Sequence, residues 1–294
     1  MKTVELVISI VCILICYTIA YFIPVYTENI NKDIISNTVS IILFIHILLF
    51  LPSFILKTEK YFDITGTIAY VSIIIYVLFE FKRANVTISF QSIVISAMVL
   101  IWALRLGIFL FIRIFKFKND SRFDDAKKSF FKFLRFWMIS ALWVFLTTIN
   151  AMTLIINNQN GDLFSSLTIG IFVWVIGFLI EFIADLQKYN FRKKQKHDFI
   201  DTGIWKYSQH PNYFGEITMW IGIAIISLTN LIGVQFFTLI SPIFVYLLLT
   251  KVSGINLLDA SAKIKWGKDQ RYIEYINTTP KLIPNFLKKG TYND

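Results

Sequence analysis

The sequence predicts an all-α, polytopic bundle of transmembrane helices, and three observations carry that prediction. Hydrophobic residues make up 56% of the 294-residue chain, 29 of them Phe, and mean hydropathy is +0.62. Charged residues make up only 16%, against about 25% in an ordinary soluble protein. The apolar residues form long continuous runs instead of alternating, which favours helices over a β-barrel. These features exclude a soluble globular enzyme, a disordered chain, a collagen and a disulfide-rich secreted module.

Windows of about 20 apolar residues give about eight spans, near 4–24, 34–56, 62–81, 88–115, 130–156, 164–186, 212–229 and 231–250. Seven are possible, because the last two are joined by a very short turn near Asn230 and form a hairpin or a pair of partly embedded helices. In the first run, Thr18-Ile19-Ala20 loosely imitates a cleavage site, but near-spanning length favours a retained helix. Cys12 and Cys16 share one face of that helix at i, i+4, where they pack as small hydrophobes and imply neither a disulfide framework nor a metal site.

Charge sets the expected orientation. The net charge is +10, and the basic residues sit in short runs between apolar segments. Lys116, Lys118, Arg122, Lys127 and Lys128 fill one connection, and Lys188, Arg192, Lys193, Lys194, Lys196 and Lys206 another. The tail after Lys251 is also basic, while the connections near 157–163 and 230 carry no Lys or Arg. With eight spans the basic connections and both termini share one face, which the positive-inside rule makes cytoplasmic. Lys82 and Arg83 are the exception and snorkel. This pattern belongs to a membrane face and not to a nucleic-acid-binding surface.

Polar groups inside apolar runs are the first place to look for function. Glu181 and Asp185 lie at i, i+4 near the C-terminal end of the sixth span, where the helix dipole disfavours negative charge. The competing reading is an interfacial pair neutralised by Lys188. The stretch Asp201 to Glu216 contains Pro211, which suits the first turn of a helix. Asn212 and Glu216 then face one way at i, i+4, with Lys206 and His210 just before the positive helix terminus, a ready place for phosphate. A helix start with a basic anchor is the equal alternative. The tail, with Asp259, Lys263, Lys265, Trp266, Arg271, Tyr272 and Tyr275, reads as an amphipathic interfacial segment.

Arg105, three residues after Trp102, is costly in mid-span. Asp63 opens the third span, and a helix cap is its simplest role. His46 is alone in the second span and reads as a packed, hydrogen-bonded group. The only other histidines are His197 and His210, so no His-x-x-x-His pair exists and zinc catalysis is not expected. There is no Gly-x-Gly-x-x-Gly and no Gly-x-Ser-x-Gly.

The stretch Thr202-Gly203-Ile204-Trp205-Lys206-Tyr207-Ser208-Gln209-His210-Pro211-Asn212-Tyr213-Phe214-Gly215-Glu216 resembles the signature of the steroid 5-alpha-reductase C-terminal-like family, in its bacterial branch of membrane proteins. The likeness extends to Glu181–Arg192, Ser253–Asp259, 275–284, Trp102–Gly107 and Asp120–Asp124, and covers roughly residues 60–285. The resemblance implies NADPH-dependent reduction of a C=C bond conjugated to a carbonyl in a steroid- or isoprenoid-like lipid. It places the cofactor in a cytoplasm-facing cavity of the C-terminal helices. The residues it implies as cofactor-binding are Glu181, Asp185, Arg192, Lys206, His210, Asn212, Glu216 and Tyr275. Glu181 stands where the steroid reductases carry a cofactor-contacting Asn. The catalytic candidates are Asp63, Trp102 and Arg105. Trp102 stands at the position of a carbonyl-polarising Tyr, and indole donates a hydrogen bond without delivering a proton.

The expected organisation is therefore 1–60 as N-terminal helices, 61–160 as substrate-side helices, and 161–294 as the cofactor-binding region with its cytoplasmic tail. The expected partners are the bilayer of a bacterial inner or plasma membrane and a small hydrophobic substrate, with no metal. Two alternatives remain. The first is an S-adenosylmethionine-dependent membrane methyltransferase, since the isoprenylcysteine carboxyl methyltransferases share a His-Pro-x-Tyr element. The second is a non-enzymatic membrane protein, which predicts polar groups along a through-path.

Overall fold

The computed structural model describes residues 2–117, 123–160, 166–195 and 198–285. Lys118, Asp120, Ser121, Arg122, Lys196 and His197 lie outside these described residues. Among the described residues the chain is helical without a strand. Its helices are α1 (Lys2–Phe22), α2 (Ile34–Ile55), α3 (Phe62–Arg83), α4 (Phe90–Phe117), α5 (Phe130–Asn157), α6 (Ser166–Lys194), α7 (Pro211–Ser227), α8 (Ile240–Leu247), α9 (Ile255–Trp266) and α10 (Gln270–Thr278). Among the described residues, seven helical runs are long and apolar enough to cross a membrane: α1 to α6, and the run Gly233–Trp266, which breaks at Ser253–Gly254. α7 has 17 residues, about 26 Å of helix against a hydrocarbon core of about 30 Å. The chain is thus a multi-pass membrane protein, and α7 falls just short of that length.

The chain divides into two compact units. The first comprises residues up to 162 together with Ser227–Ser241; the second comprises Leu163–Ile226 and Pro242–Asp294.

In the first unit α5 is the central post. It packs on α1, α2, α3 and α4, and every residue from Val144 to Ile156 is buried. Several of its polar groups are paired across the unit, because an unpartnered one is costly in an apolar interior. Asn150 donates to Thr238 Oγ1 at 3.0 Å, and Asn157 donates to Gln235 Oε1 at 2.8 Å and to the Asn230 carbonyl at 3.0 Å. Asn158 ends α5 in the left-handed region (φ 52°), and its side chain accepts from Ser89 N at 2.7 Å, tying down the entry to α4. Arg135 of α5 meets Glu5 of α1 at 2.7 Å. His46 is fully buried, its Nδ1 2.8 Å from the Ile42 carbonyl and its Nε2 3.3 Å from Ser140 Oγ, as a packed hydrogen-bonded histidine. Cys12 and Cys16 are buried free thiols.

The second unit is organised by four glycines. Gly170 and Gly177 of α6 lie seven residues apart, as do Gly215 and Gly222 of α7. A Cβ at Gly177 would sit 2.6 Å from the Gly215 carbonyl, and one at Gly222 would sit 2.7 Å from the Gly170 carbonyl. The two helices therefore run antiparallel with their backbones in contact. Only glycine permits this, and small residues at helix contacts are how helices associate in lipid. At Gly215 the facing group is the Glu181 backbone N, 2.6 Å from a would-be Cβ, so the seam sets the height of Glu181 and Asp185 against Asn212 and Glu216.

A bulky side chain in the seam must push the helices apart. Gly177→Leu and Gly215→Leu are each expected to destabilise the protein by about 1–3 kcal/mol or more, read as a lowered thermal unfolding temperature in detergent. Gly66→Ala, where the nearest atom to a new Cβ is 3.9 Å away, is expected to leave that temperature unchanged or raised.

Candidate functional site

The site begins where α6 leaves its apolar stretch. Glu181 and Asp185 are both buried, at 2% and 8% exposure, and so is Glu216 at 6%. Three carboxylates so placed demand polar surroundings, since burial penalises the charged form. One partner is explicit: Asn212 Nδ2 donates to Asp185 Oδ1 at 3.3 Å. Asp185 and Asn212 are thereby brought together, with Glu181 one turn before Asp185 and Glu216 one turn after Asn212.

The segment between α6 and α7 is shaped by Gly203, whose φ of +63° favours a residue without a Cβ. Gln187 of α6 accepts from Ile204 N at 3.0 Å, and Trp205 donates its indole N–H to the Ala184 carbonyl at 3.1 Å. Lys188 lies over the Trp205 ring, 4.5 Å from its centroid. The tail then straps this segment. Tyr275 Oη donates to the Trp205 carbonyl at 2.8 Å, Gln209 donates to the carbonyls of Ile276 and Thr279, and Ser208 Oγ donates to that of Leu282 at 2.7 Å. Phe199, Tyr272 and Tyr275 form a buried aromatic cluster against Trp266. Arg271 stacks on Phe199 at 4.4 Å and pairs with Asp198.

A cleft of about 130 Å³ opens within this assembly. Lys188, Arg192 and Lys265 contribute cations to its lining, while Phe199, Trp205, Trp266, Tyr272 and Tyr275 give it an aromatic wall. His210 also lines it; the residue is 6% exposed and its ring stacks on Tyr213 with centroids 5.6 Å apart. His210 Nε2 lies 3.3 Å from Asp259 Oδ1, and Lys281 Nζ lies 2.6 Å from Asp259 Oδ2. Burial holds His210 below its ordinary value, partly opposed by the hydrogen bond to Asp259. Burial pushes the Tyr275 phenol up, so this hydroxyl is a neutral donor to a carbonyl.

Of the sequence-derived candidates, Arg192, His210 and Tyr275 line the cleft. Asp185 precedes the lining residue Lys188 by three residues, and Asn212 follows His210 by two. Lys206 is exposed, with its Nζ over the Tyr207 ring at 4.9 Å. The second candidate group lies in the first unit. Trp102 is buried at 2% and meets Tyr70 edge-on, with centroids 5.1 Å apart. Arg105 is half-buried on α4, two residues before Gly107, where a Cβ would strike the Thr67 side chain of α3. Asp63 is half-buried in the first turn of α3, and Tyr61 occupies the N-cap position. A capping role for Asp63 is thus corrected. The helix starts earlier than Asp63, leaving the carboxylate inside the first turn, where it faces the positive end of the helix dipole.

Sequence reasoning passed over Asp198, Phe199 and Lys265 as cleft residues and gave Asp259 no role in the site. For Lys265 and Asp259 the signal was the amphipathic tail, which reads from sequence as a lipid-facing segment; Asp198 and Phe199, in the connection before α7, carried none. Here the tail turns aromatic residues onto the protein.

A family model described as protein of unknown function (DUF1295) matches residues 49–279. No curated protein and no solved structure matches the chain.

Two outcomes follow for this assembly. Tyr275→Phe leaves the buried Trp205 carbonyl without its donor and is expected to cost about 1–3 kcal/mol, measured by thermal unfolding. Because the folded state holds His210 neutral, the unfolded chain binds more protons once the pH falls below about 6.5. Stability is then full above that pH and declines as the pH drops towards the folded-state value, a slope that His210→Gln is expected to reduce.

Proposed function

We propose, for a chain that belongs to the DUF1295 family, that this multi-pass membrane protein is an NADPH-dependent oxidoreductase. Its reaction is reduction of a C=C bond conjugated to a carbonyl in a steroid- or isoprenoid-like lipid. One observation carries the reading: three cations and an aromatic wall share one cleft, in the same unit as the buried Asp185–Asn212 pair. The likeness of residues 202–216 to the steroid 5-alpha-reductase signature supports the choice of reaction.

The donor set fits a dinucleotide. Arg192, Lys188 and Lys265 supply charge for phosphates, with the guanidinium of Arg192 suited to bidentate contact. Phe199, Trp266 and Tyr272 offer faces for a planar ring. Asp185, Asn212 and Glu216 supply acceptors and a donor for ribose and carboxamide groups. Tyr275 offers its ring only, since its hydroxyl is committed to Trp205. At about 130 Å³ the cleft is smaller than the ~300–1,000 Å³ of pockets that enclose drug-sized ligands, so it takes one part of such a molecule. When bound, the cofactor supplies the hydride. The chain's own work is to hold it, exclude water and place it. Trp102 is suited to donating a hydrogen bond to a carbonyl oxygen, and Arg105 to offsetting negative charge that develops there. The basic connections favour a cytoplasmic cleft.

Purified protein in nanodiscs is expected to bind NADP⁺ by titration calorimetry. Arg192→Ala is expected to weaken binding about tenfold, the loss of roughly one charge-assisted hydrogen bond. Lys193→Ala, whose amine lies over Tyr189, is expected to bind as the wild type does. Binding of S-adenosylmethionine without NADP⁺ would favour a methyltransferase, and binding of neither would overturn the reading.

A further inference from the structure

Three segments of the second unit converge on one carboxylate. Asp259 of α9 touches His210, at the entry to α7, through one oxygen, and Lys281 of the tail strap through the other. An ionised carboxylate only accepts hydrogen bonds, so His210 Nε2 must carry the proton it shares with Asp259. Lys281 at 2.6 Å keeps the carboxylate ionised. The neutral ring then leaves Nδ1 as a bare acceptor. That atom is buried and has no hydrogen-bond partner, on a side chain only 8% exposed in the wall of the cleft. A buried acceptor without a donor calls for one from water or ligand.

We propose that Lys281 and Asp259 are positioning residues that lock His210 in the Nε2–H tautomer, so that Nδ1 accepts a hydrogen bond from an O–H or N–H of an anionic ligand in the cleft. The inference rests on the nucleotide reading above and deepens it. Lys188, Arg192 and Lys265 select the anion, and His210 selects a donor close to that charge, as a ribose hydroxyl lies beside a phosphate.

The opposite role, a protonated His210 as a further phosphate cation, needs a second proton on a buried ring. The charged groups facing the ring are Lys188 from α6, Asp259 from α9 and Lys281 from the strap, with Tyr213 of α7 and Tyr275 of α10 as titratable neighbours. Two of the three charges are positive and oppose protonation, as burial does.

The two roles give opposite pH dependence. If Nδ1 accepts, NADP⁺ affinity holds from pH 8 to below the ordinary histidine value of about 6.5 and falls only as the pH approaches the lowered value of buried His210. If His210 is a cation, affinity rises on the acid side, and that result overturns the proposal. His210→Phe is expected to weaken NADP⁺ up to about tenfold while leaving competition by sulfate, an anion with no donor, unchanged. Equal NADP⁺ affinity in His210→Phe and wild type also overturns it.

The tautomer is read without any ligand. The chain has three histidines, so ¹⁵N-histidine NMR, with His210→Gln for assignment, is expected to show His210 as Nε2–H in the wild type. Asp259→Ala is expected to give a mixture of tautomers. A wild-type Nδ1–H signal overturns the proposal whether or not NADP⁺ binds. Failure of the wild type to bind NADP⁺ overturns the nucleotide reading, and with it the ligand half of this inference.

Discussion

The backbone contact between α6 and α7 governs the second unit. Gly170 against Gly222 and Gly177 against Gly215 let two helices meet without side chains between them. In lipid, where burying apolar surface gives no net drive, such contact is a main source of helix association. Its consequence is polar. Two turns beyond Gly177 comes Asp185, and three residues before Gly215 comes Asn212; with the backbones touching, these side chains meet at 3.3 Å. A wider separation would leave buried carboxylates facing hydrocarbon, at a cost no helix pair could absorb.

Outside the apolar stretch the construction changes character. The cleft is held by aromatic stacking and by ion pairs drawn from the tail. Arg271 pairs with Asp198 and Lys281 with Asp259, so each acid in the cleft wall meets a cation that the lining itself does not supply. Lys188, Arg192 and Lys265 thus set the sign of the cleft. The tail is therefore part of the site as well as a candidate membrane contact.

Much of the fold was legible because the bilayer imposes a length on every span. Apolar runs give α1 to α5 to within about two residues, while α6 runs on past its apolar stretch to Lys194, and the turn at Asn230 falls where the apolar runs break. α7 fills nearly all of the apolar stretch 212–229, and Thr229 and Asn230 mark its end. Asn212 and Glu216 were legible as a pair from their spacing after Pro211. The cleft was not. Its walls come from α6 and the 198–210 segment on one side and α9 and α10 on the other, 48 residues or more apart in the chain, and Asp259 and Phe199 carry no mark of that meeting. The glycine seam was hidden for a similar reason, since two glycines seven residues apart in an apolar run say nothing of a partner until the partner helix is known.

Hydrogen–deuterium exchange of the whole protein in nanodiscs, with and without saturating NADP⁺, tests the central claim most directly, because it reports where a nucleotide binds. The account predicts slowed exchange confined to 181–195, 198–216 and 258–276. Binding that protects other helices and leaves these segments unchanged would contradict it.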